Sequence, residues 1–200
     1  EKLIPEFLWL VAVLATWMGG IGALQDTPMD GSALWLHAVS GIRGFEDRLG
    51  RLMATSLTYG GTFALTTVLA SALLGAWNVF PFAFGLGLGA LIANQGMSLL
   101  VSSFLNGTAP PPGTNPFAST SKGQGAAFLA SVLQMIGSVI LLLPVALMVF
   151  ASYRFPLLGW VFLPVGPVLG VLAALGLISL GGRRLDLTWP EVLKAVTYEK

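Results

Sequence analysis

The chain has 200 residues, of which 55% are hydrophobic and only 10% are charged, and its net charge is +1. A soluble globular domain carries about a quarter charged residues, so this composition, with a mean hydropathy of +0.82, indicates an integral membrane protein. Ten basic residues spread along the chain do not form a nucleic-acid-binding face. The absence of cysteine excludes disulfides and thiol chemistry, and the single histidine, His37, excludes a histidine metal cluster.

Five stretches are long and apolar enough for membrane-spanning helices, which need about 20 residues each. They are residues 3–24, 52–77, 80–105, 125–153 and 155–180. The alternating polarity of membrane-spanning strands is absent. The sequence therefore predicts an all-α, polytopic helical membrane protein with about five transmembrane helices.

These stretches divide the chain into four parts. We expect a first transmembrane helix over 1–25, an interface segment over 26–51, a four-helix bundle over 52–182 with a loop at 106–124, and a tail over 183–200. Basic residues are split eight to two between the two sides of such a bundle. The positive-inside rule then predicts that the interface segment, the 106–124 loop and the C-terminal tail are cytoplasmic.

The interface segment is the only long polar interval in the first half of the chain. Asp30, Gly31 and Ser32 favour a turn and a helix cap, and the apolar residues around Trp35 then predict an amphipathic helix at the membrane surface, ended by Gly41 and Gly44. A solvated connector with arginines that snorkel to the surface is an equal alternative.

Polar side chains also interrupt the predicted spans. Asn94, Ser98 and Ser102 recur at four-residue spacing with Gln95 beside them, and Gln134 lies in the fourth span. Because an unpaired amide in hydrocarbon costs several kcal/mol, roughly the water-to-alkane range, we expect these side chains to face other helices. Contact between helices, aided by the GxxxG pairs at Gly85/Gly89 and Gly166/Gly170, is one interpretation, and a substrate path is the other.

Motifs for catalysis are missing. The sequence has no GxxxxGK[ST] phosphate-binding loop, no HExxH motif and no credible Ser-His-Asp set, and no predicted span has a charge in its central region. We therefore predict that the chain is not an enzyme and binds no cofactor. The proline-rich 106–124 loop with its one aromatic residue, Phe117, is interpreted as a docking surface. In the tail, Thr188 is predicted to cap a short amphipathic helix, and we expect the tail to contribute little to docking.

Three runs carry a resemblance to a known family: TPMDGSALWLHAVSGIRGFEDRLGRLMA, PPPGTNPFASTSKGQGAAF, and LGGRRLD followed by WPEVLKAV. Together they resemble the C-terminal half of a bacterial ABC-2 type exporter permease of the actinobacterial kind. The resemblance implies a bacterial plasma-membrane protein that works by alternating access, with residues 1–25 as the last helix of a missing first half.

The resemblance also implies partners. ATP and Mg²⁺ would be bound by a separate, dimeric cytoplasmic ABC ATPase subunit, and a second permease half would complete the membrane part. Coupling to the ATPase is expected at two sets of residues: Arg43, Glu46, Asp47, Arg48 and Arg51, and Asn115, Phe117 and Lys122. The substrate path would run along Asn94, Gln95, Ser98, Ser102 and Gln134. The alternative function is a non-transporting membrane anchor or scaffold subunit of a larger complex.

Overall fold

The computed structural model describes residues 7–106, 124–155 and 157–196, and within these ranges every element is helical. The helices are α1 (Phe7–Asp30), α2 (Trp35–Val39), α3 (Gly44–Thr55), α4 (Gly61–Leu74), α5 (Phe80–Val101), α6 (Gln124–Arg154) and α7 (Leu158–Val196). A 3₁₀ turn, Gly31–Leu34, precedes α2, and a π-helical turn, Ser56–Gly60, joins α3 to α4.

Five continuous helices are long and apolar enough to cross a membrane: α1, α3 with α4, α5, α6 and α7. The prediction of an all-α polytopic membrane protein is therefore confirmed. Long apolar helices are the expected solution in hydrocarbon because a helix satisfies its own backbone hydrogen bonds.

Helix α5 is the central element of the described bundle. It packs most extensively against α7 and also contacts α1, α3, α4 and α6. A Cβ added at Gly89 would meet the backbone of Gly166, and one added at Gly170 would meet Gly89. The two predicted GxxxG pairs thus pack against each other, because only glycine lets the backbones of α5 and α7 approach this closely.

Two predicted boundaries around the interface segment are wrong. Helix α1 continues to Asp30 instead of ending near residue 24. Gly41, in the left-handed region at φ 73°, follows α2 as predicted, but Gly44 begins α3. The reason for glycine at 44 is contact between helices, because a Cβ there would collide with the backbone of Gly182.

The helical part of the predicted tail is also longer than expected. Helix α7 runs past residue 183 to Val196 with a kink at Thr188, whose φ and ψ are −133° and 19°. The Thr188 hydroxyl donates to the Arg184 carbonyl at 2.8 Å, whereas a capping hydroxyl accepts from a following amide. The end of α7 is held by an apolar cluster in which Val192 and Val196 pack with Leu34 of the 3₁₀ turn.

Candidate functional site

Charged side chains that we predicted to lie outside the membrane come together around α3. We call this group the charged cluster. Its members are Asp26 and Asp30 of α1, His37 of α2, and Asp47, Arg48 and Arg51 of α3.

Arg51 joins α3 to α1. Its Nε donates to Asp47 Oδ2 at 3.0 Å, its Nη1 donates to Asp26 Oδ2 at 2.7 Å, and its Nη2 donates to Asp30 Oδ2. The Arg51 side chain is 8% exposed and Asp47 is 1% exposed, whereas Asp26 and Asp30 are about one-third exposed. One buried guanidinium therefore holds three carboxylates, which is why α1 can continue as a helix to Asp30.

Arg48 is completely buried. Its Nη1 donates to Thr27 Oγ1 at 2.7 Å and to Ser102 Oγ at 2.9 Å, so it connects α3 to both α1 and α5. Its Nε lies 3.8 Å from Asp47 Oδ2, and neither Nε nor Nη2 has a hydrogen-bond partner within the described chain. Asp47 is thus the carboxylate that balances the charge of Arg48 as well as part of that of Arg51.

Two further contacts fix the start of α3. His37 Nδ1 lies 2.7 Å from Asp47 Oδ1, which ties α2 to α3. The Gly44 amide donates to Asp186 Oδ1 of α7 at 2.6 Å, so a carboxylate from another helix caps α3. Helix α3 is therefore attached at its first two turns to α1, α2, α5 and α7.

These contacts bear on one of the two interpretations of the interface segment. The solvated connector with snorkelling arginines is wrong for Arg48 and Arg51, because both are buried among partners. Among the residues expected to couple to an ATPase, Arg43 and Glu46 are exposed. Asp47, Arg48 and Arg51 lie inside the chain, and Asn115, Phe117 and Lys122 lie outside the described residues.

A second polar network lies inside the bundle. Asn94 Nδ2 of α5 donates to the Thr16 carbonyl of α1 at 2.8 Å, and Ser138 of α6 lies 3.0 Å from Asn94 Oδ1. Gln134 Nε2 donates to Ser138 Oγ at 2.8 Å. A Cβ at Gly20 of α1 would overlap both amides, so this glycine provides their space.

The expected substrate-path residues all face other helices, as predicted. Asn94, Gln95, Ser98 and Ser102 are fully buried and Gln134 is 1% exposed. They belong to separate groups, however: Asn94 and Gln134 join the network around Ser138, Gln95 accepts from Ser56 at 2.7 Å, and Ser102 binds Arg48. Whether they form a path for substrate stays a prediction.

Several partners in these networks were not singled out from the sequence. Ser138 lies four residues after Gln134, a spacing that could have identified it. Asp186 belongs to the Gly-Gly-Arg-Arg-Leu-Asp run, but its role as a cap of α3 depends on a contact 142 residues away. The sequence did not identify Thr27 and Ser56 as hydrogen-bond partners, because isolated hydroxyl groups are common in membrane helices.

Two cavities open along α1. A polar cleft of about 270 Å³ is lined by Asp26, Asp30, His37, Glu46, Asp47 and Arg51, with Ile42, Gly50 and Ala54. An apolar groove of about 400 Å³ is lined by Val11, Leu14, Ala15 and Met18 of α1 and by Thr58, Tyr59, Thr62, Phe63 and Thr66.

The fold and these contacts define a polytopic α-helical membrane protein whose second span is joined at one end to neighbouring helices through Arg48 and Arg51. No protein-family model matches the chain, and neither a curated protein nor a solved structure matches it.

Proposed function

We propose that the chain is a membrane-spanning permease subunit of an ATP-binding cassette exporter, which moves its substrate by alternating access. ATP and Mg²⁺ are bound by a separate, dimeric cytoplasmic ATPase subunit, and a second permease half completes the membrane part. The protein resides in a bacterial plasma membrane with its C-terminus in the cytoplasm, and its sequence runs resemble those of ABC-2 type permeases.

The observation that carries the proposal is the attachment of α3. A subunit driven by an external ATPase needs a surface element whose displacement moves several spans together. The start of α3 fits this requirement because Arg51 ties it to α1, Arg48 ties it to α5, and the Asp186 cap ties it to α7. Each of these links is a hydrogen bond with one charged partner, and such bonds are stronger than bonds between neutral groups.

The surface available to an ATPase is the outer side of the same segment. Arg43 and Glu46 are exposed beside the start of α3, and Trp35, Leu36 and Val39 of α2 are half or more exposed. Charges at the edge of an interface guide association, whereas apolar side chains contribute more of the affinity. The Asn115–Lys122 part of the loop stays a second proposed contact.

Affinity purification of the tagged chain from its native membrane, after cross-linking, tests the proposal. We expect one stoichiometric partner that carries a GxxxxGK[ST] loop, and ATP hydrolysis by the purified complex in proteoliposomes. Glu46→Lys should weaken the association of that ATPase several-fold. Arg183→Glu is the matched control, because Arg183 is also exposed and charged but lies in the predicted tail segment.

Two results would contradict the proposal. A complex without any P-loop protein would favour the anchor or scaffold function. An ATPase that binds, but whose coupling of hydrolysis to transport is unchanged when Asp186→Ala removes the link between α3 and α7, would show that the attachment of α3 does not transmit force.

A further inference from the structure

Both cavities lie between α1 and the second span, which is formed by α3 and α4. On α1, Val11, Ala15, Met18, Gly22, Asp26 and Asp30 recur every three or four residues and so share one helical face. This side of α1 contacts one side of the second span. The residues on that side of the second span, from α3 through the π-helical turn to α4, are Asp47, Arg51, Tyr59, Thr62 and Thr66. We call this line of contact the seam: the polar cleft is at its α2 end and the apolar groove is further into the span.

The surface of the apolar groove is formed by hydrocarbon groups, although three threonines line it. Thr58, Thr62 and Thr66 donate to the backbone carbonyls of Ala54, Thr58 and Thr62, at 3.1, 2.8 and 2.8 Å. Their hydroxyl hydrogens are therefore used within the helix, and their methyl groups remain for an occupant. A groove with this lining, opening at the side of a membrane-spanning bundle, suits an acyl chain.

Tyr59 lies where the groove approaches the polar cleft. Its ring packs along α1, since a Cβ at Gly19 would be 3.5 Å from Tyr59 Cβ and one at Gly22 would overlap the ring and hydroxyl. The ring therefore extends from the level of the groove toward Asp26, with its hydroxyl at the end nearer the cleft. The side chain links the apolar and the polar parts of the seam with an apolar ring and a polar tip.

The accessible charge of the polar cleft is negative. Asp26 and Asp30 are about one-third exposed and Glu46 is exposed, whereas Arg51, the one arginine or lysine among the described residues that line the cleft, is 8% exposed and engaged with three carboxylates. A headgroup that carries an ammonium is thus complementary to the exposed carboxylates of the cleft, whereas a headgroup whose only charge is negative is not.

We infer that the seam binds one phospholipid with a primary ammonium headgroup, of the ethanolamine type, with its ammonium in the polar cleft and an acyl chain in the apolar groove. Met18 lies eight residues, or about 12 Å, from Asp26 along α1. One leaflet of hydrocarbon is about 15 Å deep, half of the ~30 Å core, so a chain that starts at Asp26 reaches the groove. This lipid site does not rest on the proposed transport function.

Lipid retention tests the site directly. The full chain is reconstituted in nanodiscs that contain phosphatidylethanolamine and phosphatidylglycerol with identical acyl chains, extracted into mild detergent and examined by native mass spectrometry. We expect one phosphatidylethanolamine per chain, retained roughly fivefold over phosphatidylglycerol. A roughly fivefold preference corresponds to the upper end of the energies of ion pairs at partly solvated sites.

Two variants separate the parts of the site. Thr62→Trp fills the groove and should abolish retention of both lipids, whereas Val68→Trp, on a different exposed face of the same helix and outside the groove, should leave retention unchanged. Glu46→Gln keeps an oxygen for the Arg43 amide and should reduce the headgroup preference without lowering total retention. Circular dichroism confirms that each variant is folded.

Three outcomes would overturn the inference. Equal loss with Thr62→Trp and Val68→Trp would show that the lipid is a general surface lipid. Equal or stronger retention of phosphatidylglycerol would exclude recognition of the ammonium. Efficient disulfide formation between two copies of Thr62→Cys, in a chain without native cysteine, would assign the groove to a second copy.

Discussion

Replacement of Arg51 by methionine tests whether the charged cluster holds the second span in place. Methionine keeps the length and apolar stem of the side chain but removes the guanidinium. Asp26, Asp30 and Asp47 would then lose their shared partner.

The expected cost is dominated by Asp47. Asp26 and Asp30 are about one-third exposed, so losing each ion pair costs at most about 1 kcal/mol. Asp47 is 1% exposed, and removing one partner of a buried pair costs about 3 to 5 kcal/mol. Arg48 at 3.8 Å and His37 at 2.7 Å remain near Asp47, which favours the lower end, about 3 kcal/mol.

Unfolding in mixed micelles by titration with sodium dodecyl sulfate, followed by circular dichroism, measures this change. Asp26→Asn is the matched control and should cost at most about 1 kcal/mol. The double variant Asp47→Asn with Arg51→Met should be less stable than Arg51→Met alone, because Asp47 also balances the charge of the buried Arg48. A loss below about 1 kcal/mol for Arg51→Met, or an equal loss for Asp26→Asn, would refute the assignment of the largest cost to the buried pair of Arg51 and Asp47.

Three other predictions concern packing and topology. Gly89→Ala should destabilise the bundle by about 1 to 3 kcal/mol, because the added Cβ meets the backbone of Gly166. The control Gly176→Ala, whose Cβ points into open space, should be neutral or slightly stabilising in the same unfolding assay. Asn94→Leu should cost about 1 to 3 kcal/mol because it removes the hydrogen bonds that Asn94 makes to the Thr16 carbonyl and to Ser138. An unchanged midpoint would contradict the role of Asn94 as an interhelical link. In intact cells, an impermeant maleimide should label Asn78→Cys, in the turn before α5, and not Ser40→Cys after α2; the reverse pattern would invert the proposed orientation.

The class of fold could be predicted from the sequence because it depends on local composition. Each long apolar run must form a helix in hydrocarbon, whatever its neighbours are, so the five spans and the turn before α5 followed from hydropathy and from breaks at polar or glycine residues. The two GxxxG pairs were visible for the same reason, since close approach of helices requires small residues at four-residue spacing. The burial of Asn94 and Gln134 followed from the cost of exposing an amide to lipid.

The tertiary structure alone decided which polar residues form the site. Arg43, Arg48 and Arg51 are alike in the sequence, yet Arg43 is exposed, Arg48 is buried against Ser102 from 54 residues away, and Arg51 is surrounded by carboxylates of two helices. The cost of burying a charge depends on partners that come together only when the helices pack, so local polarity cannot reveal it. For the same reason hydropathy placed the end of α1 before Asp26, whereas the contact with Arg51 carries the helix on to Asp30.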